Sequence, residues 1–170
     1  MTEVPPQSDE YAVQALNTLI ETAIDSIGGY EKAAELARNP RFQSLFRDRA
    51  QERQKLVEAL KAEVRGFGGE PWDKPSFRGR AHRAFLELRD RIGGGASDKP
   101  VIEEVERGET FISNQFAEAI DDDQLPEKAR QVLERAQETL RAQREEISAI
   151  REEFEPKDAA SRPEPRSTST

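Results

Sequence analysis

Apolar residues recur at steps of three and four along four long stretches of this chain, and this spacing constrains the fold more than any other feature. The four stripes run from Leu16 to Ala37, from Phe42 to Phe67, from Ile102 to Ala119 and from Ala129 to Phe154. A shorter stripe runs from Phe77 to Ile92. Because each stripe covers one face of a helix and has to be buried against another element, the sequence predicts an all-α protein.

Residues that favour helix ends separate the stripes. Asn39 and Pro40 end the first predicted helix and begin the second. The glycines of residues 66–69 end the second helix, and Pro126 begins the last one. The predicted helices cover about residues 11–38, 41–65, 76–92, 98–121 and 126–154.

The order of these helices favours one arrangement. The first two long helices form a hairpin, the last two form a second hairpin, and the short helix lies in the connection between them. A short helix that rises about 1.5 Å per residue can span much of the molecule, so the second hairpin can start from its far end. The predicted fold is a ferritin-like four-helix bundle, in which two antiparallel hairpins are joined by a long crossover that contains the short helix.

The bundle is expected to occupy residues 9–155 as one domain. Residues 1–8 and 156–170 are rich in Pro, Ser, Thr and charge, and they have almost nothing apolar to bury, so both ends are predicted to be disordered.

Charge and composition disfavour several classes of partner. A net charge of −8 disfavours a nucleic acid, whose phosphates require clustered Lys and Arg. The absence of Cys excludes disulfides and thiol chemistry in this chain. No apolar run approaches the length of a membrane span, and MTEVPPQSDE lacks the basic and apolar regions of a secretory signal. We therefore expect a cytoplasmic protein that binds neither nucleic acid nor membrane.

Four segments spread over residues 11–154 carry a resemblance through their order and spacing. They are LNTLIETAIDSIGGYEKAAE, FRDRAQERQKLVEALKAEVRGFGGEP, GRAHRAFLELR and IEEVERGE. The chain resembles an uncharacterised bacterial family of four-helix-bundle proteins, a domain of unknown function placed in the ferritin-like superfamily. The resemblance implies the fold and implies no particular activity. Members of that family often have a His in the last helix where this chain has Arg144, so a metal-binding role of that position is not expected to extend to this chain.

Polar residues interrupt the apolar stripes near the middle of the long helices. They are Ser26, Tyr30, Arg49, Arg53, Glu109 and Gln143. A carboxylate in an apolar core must be protonated, bound to a cation or paired, so we expect Glu109 to pair with Arg53 or Arg49. Tyr30 and Gln143 are the expected hydrogen-bond partners in this buried polar layer. The alternative is that the arginines extend outwards along their stems and Glu109 reaches solvent at a helix edge.

Metal ligands other than carboxylates are scarce in this sequence. Dimetal sites in helical bundles draw Glu from two helices and Glu-x-x-His pairs from two others, whereas this chain has one His and no Glu-x-x-His pair. No cofactor is therefore favoured. An iron or manganese site built from carboxylates alone is the alternative, with candidates Glu21, Glu52, Glu106, Glu109 and Glu138.

Glycines inside helices destabilise them by about 1 kcal/mol each relative to alanine, so Gly28, Gly29 and Gly108 require an explanation. The favoured explanation is close approach of a neighbouring backbone.

The candidate partner surface comprises Trp72, His82 and Phe85, in the connection between the hairpins. For His82, a side chain that packs on the helix surface is favoured over a catalytic imidazole, because no nucleophile or acid cluster accompanies it.

No sequence motif in the chain indicates a reaction. The sequence therefore favours a non-enzymatic protein that acts by association, either as a homo-oligomer such as a dimer or with a protein partner. The alternatives are the carboxylate metal protein and a carrier of a small molecule.

Overall fold

The described residues of this chain contain only helices as regular secondary structure. A computed structural model describes residues 6–72, 80–92 and 97–155, and leaves out the side chains of residues 80–82 and 91. The helices are α1 (Asp9–Leu36), α2 (Pro40–Gly66), α3 (Arg80–Ile92), α4 (Lys99–Asp121) and α5 (Glu127–Glu153). The predicted all-α class is confirmed. The predicted start of the short helix at residue 76 and the predicted disorder of residues 1–5 and 156–170 lie outside the described residues.

Capping residues explain where the first two helices begin. The Ser8 side chain accepts a hydrogen bond from the Tyr11 backbone N–H, so α1 starts two residues before the predicted boundary. Gln7 lies in the segment predicted to be disordered, yet its backbone N–H donates to the Gln124 carbonyl at 2.6 Å. Asn39 caps α2 with Pro40 in the first turn, as the sequence indicates.

The helices of each hairpin are antiparallel. In the first hairpin, Asn17 near the start of α1 donates to the carbonyl of Glu70, which follows the end of α2, at 3.1 Å. In the second, Arg151 near the end of α5 donates to Glu106 near the start of α4 at 2.8 Å.

The two hairpins also contact each other, which sets the direction of α4. The end of α1 lies beside the start of α4, because Asp98 accepts the backbone N–H of Arg38. The start of α1 lies beside the end of α4, where the Tyr11 hydroxyl donates to Asp122. Since α1 is antiparallel to both α2 and α4, these two helices run in the same direction.

Buried apolar side chains of the described residues form two clusters along this axis. One cluster contains Leu16, Leu60, Phe116 and Leu133, and the other contains Phe42, Phe46, Ile102 and Ile147. Each cluster takes side chains from all four long helices, so neither hairpin buries its apolar stripe alone.

The buried face of α2 differs from the sequence-based assignment. The predicted stripe from Phe42 to Phe67 passes through Arg49, Leu56 and Glu63, whereas the structure buries Ala50, Val57 and Val64. A step of four after Phe46, in place of a step of three, rotates the face by one residue. Arg53 belongs to both versions of the stripe and is buried.

Helix α3 contacts α1 and α4. It buries Phe85 and Leu88, and Leu86 is 37% exposed. None of the helices in the described part of the chain is long and apolar enough to cross a membrane.

Candidate functional site

An ion pair between Arg53 of α2 and Glu109 of α4 lies at the centre of the molecule. Arg53 Nη2 donates to Glu109 Oε1 at 2.9 Å and to Oε2 at 3.2 Å. The two side chains are only 1% and 2% exposed. Burial of two charges is unfavourable unless their remaining polar atoms are also satisfied, so the surrounding hydrogen bonds decide whether the pair is tolerated.

Side chains from α1 and α5 supply these hydrogen bonds. Tyr30 donates its hydroxyl to Glu109 Oε1 at 2.6 Å. Arg53 donates to Ser26 Oγ at 2.9 Å and to Gln143 Oε1 at 3.0 Å. The guanidinium of Arg53 also lies over the Tyr30 ring, 5.6 Å from its centroid. The four long helices therefore each contribute to a single buried polar network.

Burial of Tyr30 raises the pKa of its hydroxyl well above the ordinary value of a tyrosine, and the charge of Glu109 raises it further. The positive charge of Arg53 opposes this rise. Tyr30 is consequently a neutral hydrogen-bond donor to Glu109 and not a base.

Arg49 belongs to a second, more exposed group. It donates to Glu52 Oε2 at 2.8 Å and to Glu146 of α5. Gln143 joins the two groups, because its Nε2 donates to Glu52 Oε2 at 2.6 Å while its Oε1 accepts from Arg53. Of the two arginines that the sequence offered to Glu109, the structure pairs Arg53 with it.

The carboxylates proposed as metal ligands are divided between different partners. Glu109 binds Arg53, Glu106 binds Arg151, and Glu52 binds Arg49. Glu21 is half-buried on α1, and Glu138 lines a shallow surface pocket that also includes Arg49. Among the residues that the structure describes, no three His, Asp or Glu side chains form a group that could hold a metal ion.

The three residues of the candidate partner surface differ from one another. Trp72 is 45% exposed, as a contact residue would be. Phe85 is 4% exposed and packs into the core, which corrects its assignment to a surface, because α3 turns this side chain towards α1 and α4. The side chain of His82 lies outside the described residues.

A pocket of about 280 Å³ lies beside the buried network, between α1, α3 and α4. Ser26, Tyr30 and Glu109 line it together with the apolar side chains of Phe85 and Ile112. Gly29 and Gly108 also line it. The expected reason for the glycine at 108 is wrong, because a Cβ built there would meet no atom within 4 Å, and the same holds at Gly28.

Sequence reasoning missed the pocket and two buried polar residues that anchor the connections. Asn17, 2% exposed, donates to the Glu70 carbonyl and accepts the Trp72 backbone N–H. Asp98, 6% exposed, accepts the backbone N–H groups of Arg38 and Asn39, both at 2.8 Å. Asn17 could have been found from the sequence, because it is a polar residue within the apolar stripe of α1. Asp98 gave no such signal, since a helix cap explains an aspartate at that position equally well.

The described residues thus define an all-helical protein with a buried ion pair at its centre and a pocket against that pair. The chain belongs to the family described as domain of unknown function (DUF2383), which matches residues 11–123. The match includes Tyr30, Arg53 and Glu109 and ends before α5, so Gln143 and Glu146 lie outside it. Comparison with curated proteins finds no match.

Proposed function

We propose that this chain is a non-enzymatic binding protein with ferritin-like helix order, and that it holds a small molecule in the pocket between α1, α3 and α4. The helix directions support the ferritin-like part of the proposal. Each hairpin is antiparallel, α2 and α4 run in the same direction, and α3 lies in the connection between them, as in bundles with one long crossover.

The observation that carries the binding role is the pocket itself. Its volume of about 280 Å³ is nearly twice the roughly 150 Å³ of an engineered apolar cavity that binds benzene. Apolar side chains such as Phe85, Val105 and Ile112 line it together with polar groups of α1 and α4, and ligand sites likewise combine apolar surface with polar groups.

The open space beside Gly108 also supports a ligand-binding role. Gly108 lines the pocket, and a Cβ at this position would enter open space. A larger side chain here would therefore occupy the volume that a ligand needs.

Binding of 2-phenylethanol, a neutral aromatic probe, tests the proposal. We expect amide chemical shifts to change in two-dimensional NMR spectra around Gly29, Gly108 and Phe111, which line the pocket. The Gly108→Leu variant fills the pocket and should lose these changes. Ala59→Leu, which adds the same side chain on an exposed face of α2, should keep them. Unchanged spectra in the wild-type protein would contradict the proposal.

The association predicted from the sequence has its own support in exposed apolar side chains. Phe111 is 43% exposed beside the pocket, and Leu86 is 37% exposed on α3. If these residues form an interface, Phe111→Lys should lower the mass measured by light scattering from that of a dimer to that of a monomer. A wild-type protein that stays monomeric at high concentration would remove this second candidate.

The iron or manganese alternative has no comparable support, because arginines bind three of its candidate carboxylates, Glu52, Glu106 and Glu109.

A further inference from the structure

The two oxygens of the Glu109 carboxylate differ in how fully they are hydrogen-bonded. Oε1 accepts from Tyr30 at 2.6 Å and from Arg53 at 2.9 Å. Among the described residues, Oε2 accepts only from Arg53, at 3.2 Å. Because each carboxylate oxygen has two lone-pair sites, Oε2 can accept one further hydrogen bond. Glu109 lines the pocket, so a group of a ligand can supply this further donor.

The hydroxyl of Ser26, which also lines the pocket, has the complementary capacity. Its oxygen accepts from Arg53 Nη1 at 2.9 Å, and within the described part of the chain no acceptor takes its hydrogen. By contrast, Thr18 and Thr22 of the same helix each donate to a backbone carbonyl one turn earlier. A serine hydroxyl both donates and accepts, so Ser26 can donate one hydrogen bond to a ligand.

Arg53 holds these two groups close to each other. Its Nη1 binds Ser26 and its Nη2 binds Glu109, and both nitrogens belong to one planar guanidinium. A single hydroxyl group of a ligand can therefore donate to Glu109 and accept from Ser26. Because the charge of Arg53 already neutralises Glu109, the carboxylate needs a further donor and not a second cation.

The pocket also accommodates an apolar body. Phe85, Val105 and Ile112 line it and are at most 5% exposed. A cavity of about 150 Å³ accepts a benzene ring, so the volume of about 280 Å³ available here has room for a ring and a short chain.

From these observations we infer that the pocket selects an uncharged alcohol or phenol with an aromatic or branched apolar body. The hydroxyl group donates to Glu109 Oε2 and accepts from Ser26, and the apolar body packs against Phe85 and Ile112. This inference rests on the proposed binding function and adds the chemical group by which the ligand is recognised. An ether of similar shape lacks the hydrogen that Glu109 Oε2 accepts.

Three probes that share a phenylethyl body separate the inference from the function on which it rests. They are 2-phenylethanol, its methyl ether and 2-phenylethylamine, each titrated into the full chain by NMR at neutral pH. We expect the alcohol to bind about tenfold more tightly than the ether, because only the alcohol donates to a carboxylate. A purely apolar pocket would give the opposite order, since the ether is the more apolar molecule. The protonated amine should also bind more weakly than the alcohol, because its charge would lie beside the guanidinium of Arg53.

The outcomes distinguish two kinds of failure. If the ether or the amine binds as tightly as the alcohol, the inference is overturned and the pocket stands as a ligand site. If no probe shifts the amides that line the pocket, both the inference and the proposed function are overturned.

The carboxyl carbon of Glu109 reports the proposed hydrogen bond without any substitution. In protein labelled with carbon-13 at its glutamate carboxyl groups, we expect saturating alcohol to shift this carbon much more than saturating ether does. The control is the carboxyl carbon of Glu58, whose side chain is 59% exposed on α2 and which should shift with neither probe. Equal shifts of the Glu109 carbon with both probes would overturn its role as the acceptor.

An alanine at position 26 tests the second hydrogen bond. Because the alcohol and the ether can both accept from Ser26, the Ser26→Ala variant should bind each of them about fivefold more weakly. The matched control is Ser44→Ala, which removes an exposed hydroxyl from α2 and should leave both affinities unchanged. Wild-type affinity for the alcohol in a Ser26→Ala protein with unchanged circular dichroism would overturn the role of Ser26.

Discussion

The pair of Arg53 and Glu109 illustrates what one buried residue requires of its neighbours. A carboxylate that is 2% exposed needs a cation and hydrogen-bond donors, and Glu109 has a guanidinium and the Tyr30 hydroxyl. The guanidinium in turn has acceptors on three other helices: Ser26, Glu109 and Gln143. Removal of either Arg53 or Glu109 therefore leaves the other charge buried without its ion-pair partner.

A double-mutant cycle tests this dependence. Glu109→Gln and Arg53→Met should each lower the free energy of unfolding by about 3 to 5 kcal/mol, because each leaves one charge buried without its partner. The double variant should lose less than the sum of the two losses. Urea unfolding measured by circular dichroism gives the three values.

The exposed pair of Arg41 and Glu153 is the matched control for that cycle. Its side chains are 58% and 53% exposed, so Glu153→Gln should change stability by less than about 1 kcal/mol. Additive losses at Arg53 and Glu109 would show that the two side chains do not depend on each other.

The hydroxyl of Tyr30 predicts a loss of stability at high pH. Burial first, and the charge of Glu109 second, raise the pKa of Tyr30 above its ordinary value of about 10. The folded protein therefore keeps this proton while the unfolded chain releases it. The stabilisation is present below about pH 10 and is lost as the pH rises towards the folded-state pKa of Tyr30.

Two variants separate the contributions of the two tyrosines in this chain. When the pH is raised from below to above about 10, the free energy of unfolding measured with urea should fall less in Tyr30→Phe than in the wild-type protein. In Tyr11→Phe, where Tyr30 alone can ionise, tyrosinate absorbance should appear only as the protein unfolds. Absorbance that rises near pH 10 in the folded Tyr11→Phe protein would refute the raised pKa.

At the scale of elements, the residues between helices determine how the hairpins are joined. Asp98 precedes α4, yet its carboxylate makes no cap bond to that helix. It instead binds the two backbone N–H groups that follow α1, at Arg38 and Asn39. One side chain thus fixes the turn of the first hairpin to the start of the second.

Replacement of Asp98 should loosen this junction. Asp98→Ala removes both acceptors and leaves two N–H groups in a partly buried position, so we expect a loss of roughly 1 to 2 kcal/mol. Asp98→Asn retains one acceptor oxygen and should lose less. Hydrogen exchange of the Arg38 and Asn39 amides measures the local effect, which should exceed the effect on amides in the middle of α2. Equal exchange in the three proteins would show that the Asp98 carboxylate does not hold the turn.

At the scale of the whole molecule, the four long helices share one interior. Both apolar clusters include side chains of α5, among them Leu133, Leu140 and Ile147. The family match ends at residue 123, before this helix begins. The matched segment alone would therefore expose much of its apolar surface and lose the contacts of Gln143 with Arg53 and Glu52.

Truncation tests whether the matched segment folds alone. We expect residues 1–123 to show no cooperative thermal unfolding, because the apolar stripes of the remaining long helices lack a partner. A control chain of residues 1–155 keeps all five helices and should unfold cooperatively. Cooperative unfolding of the shorter chain with native-like near-ultraviolet circular dichroism would show that the matched segment is an independent domain.

The helices could be predicted from the sequence, because apolar periodicity and end residues such as Asn39, Pro40 and Gly66 act within a few positions along the chain. The sequence also indicated which polar residues lie at the level of Glu109, since a charge in an apolar stripe is unusual wherever it occurs. Packing between the helices places Arg53 and not Arg49 against Glu109, because one extra residue in the step after Phe46 rotates the buried face of α2. The bonds of Asp98 to the turn after α1 and the pocket beside Gly108 could not be predicted in this way, because both depend on elements that are distant in sequence and meet only when the hairpins pack.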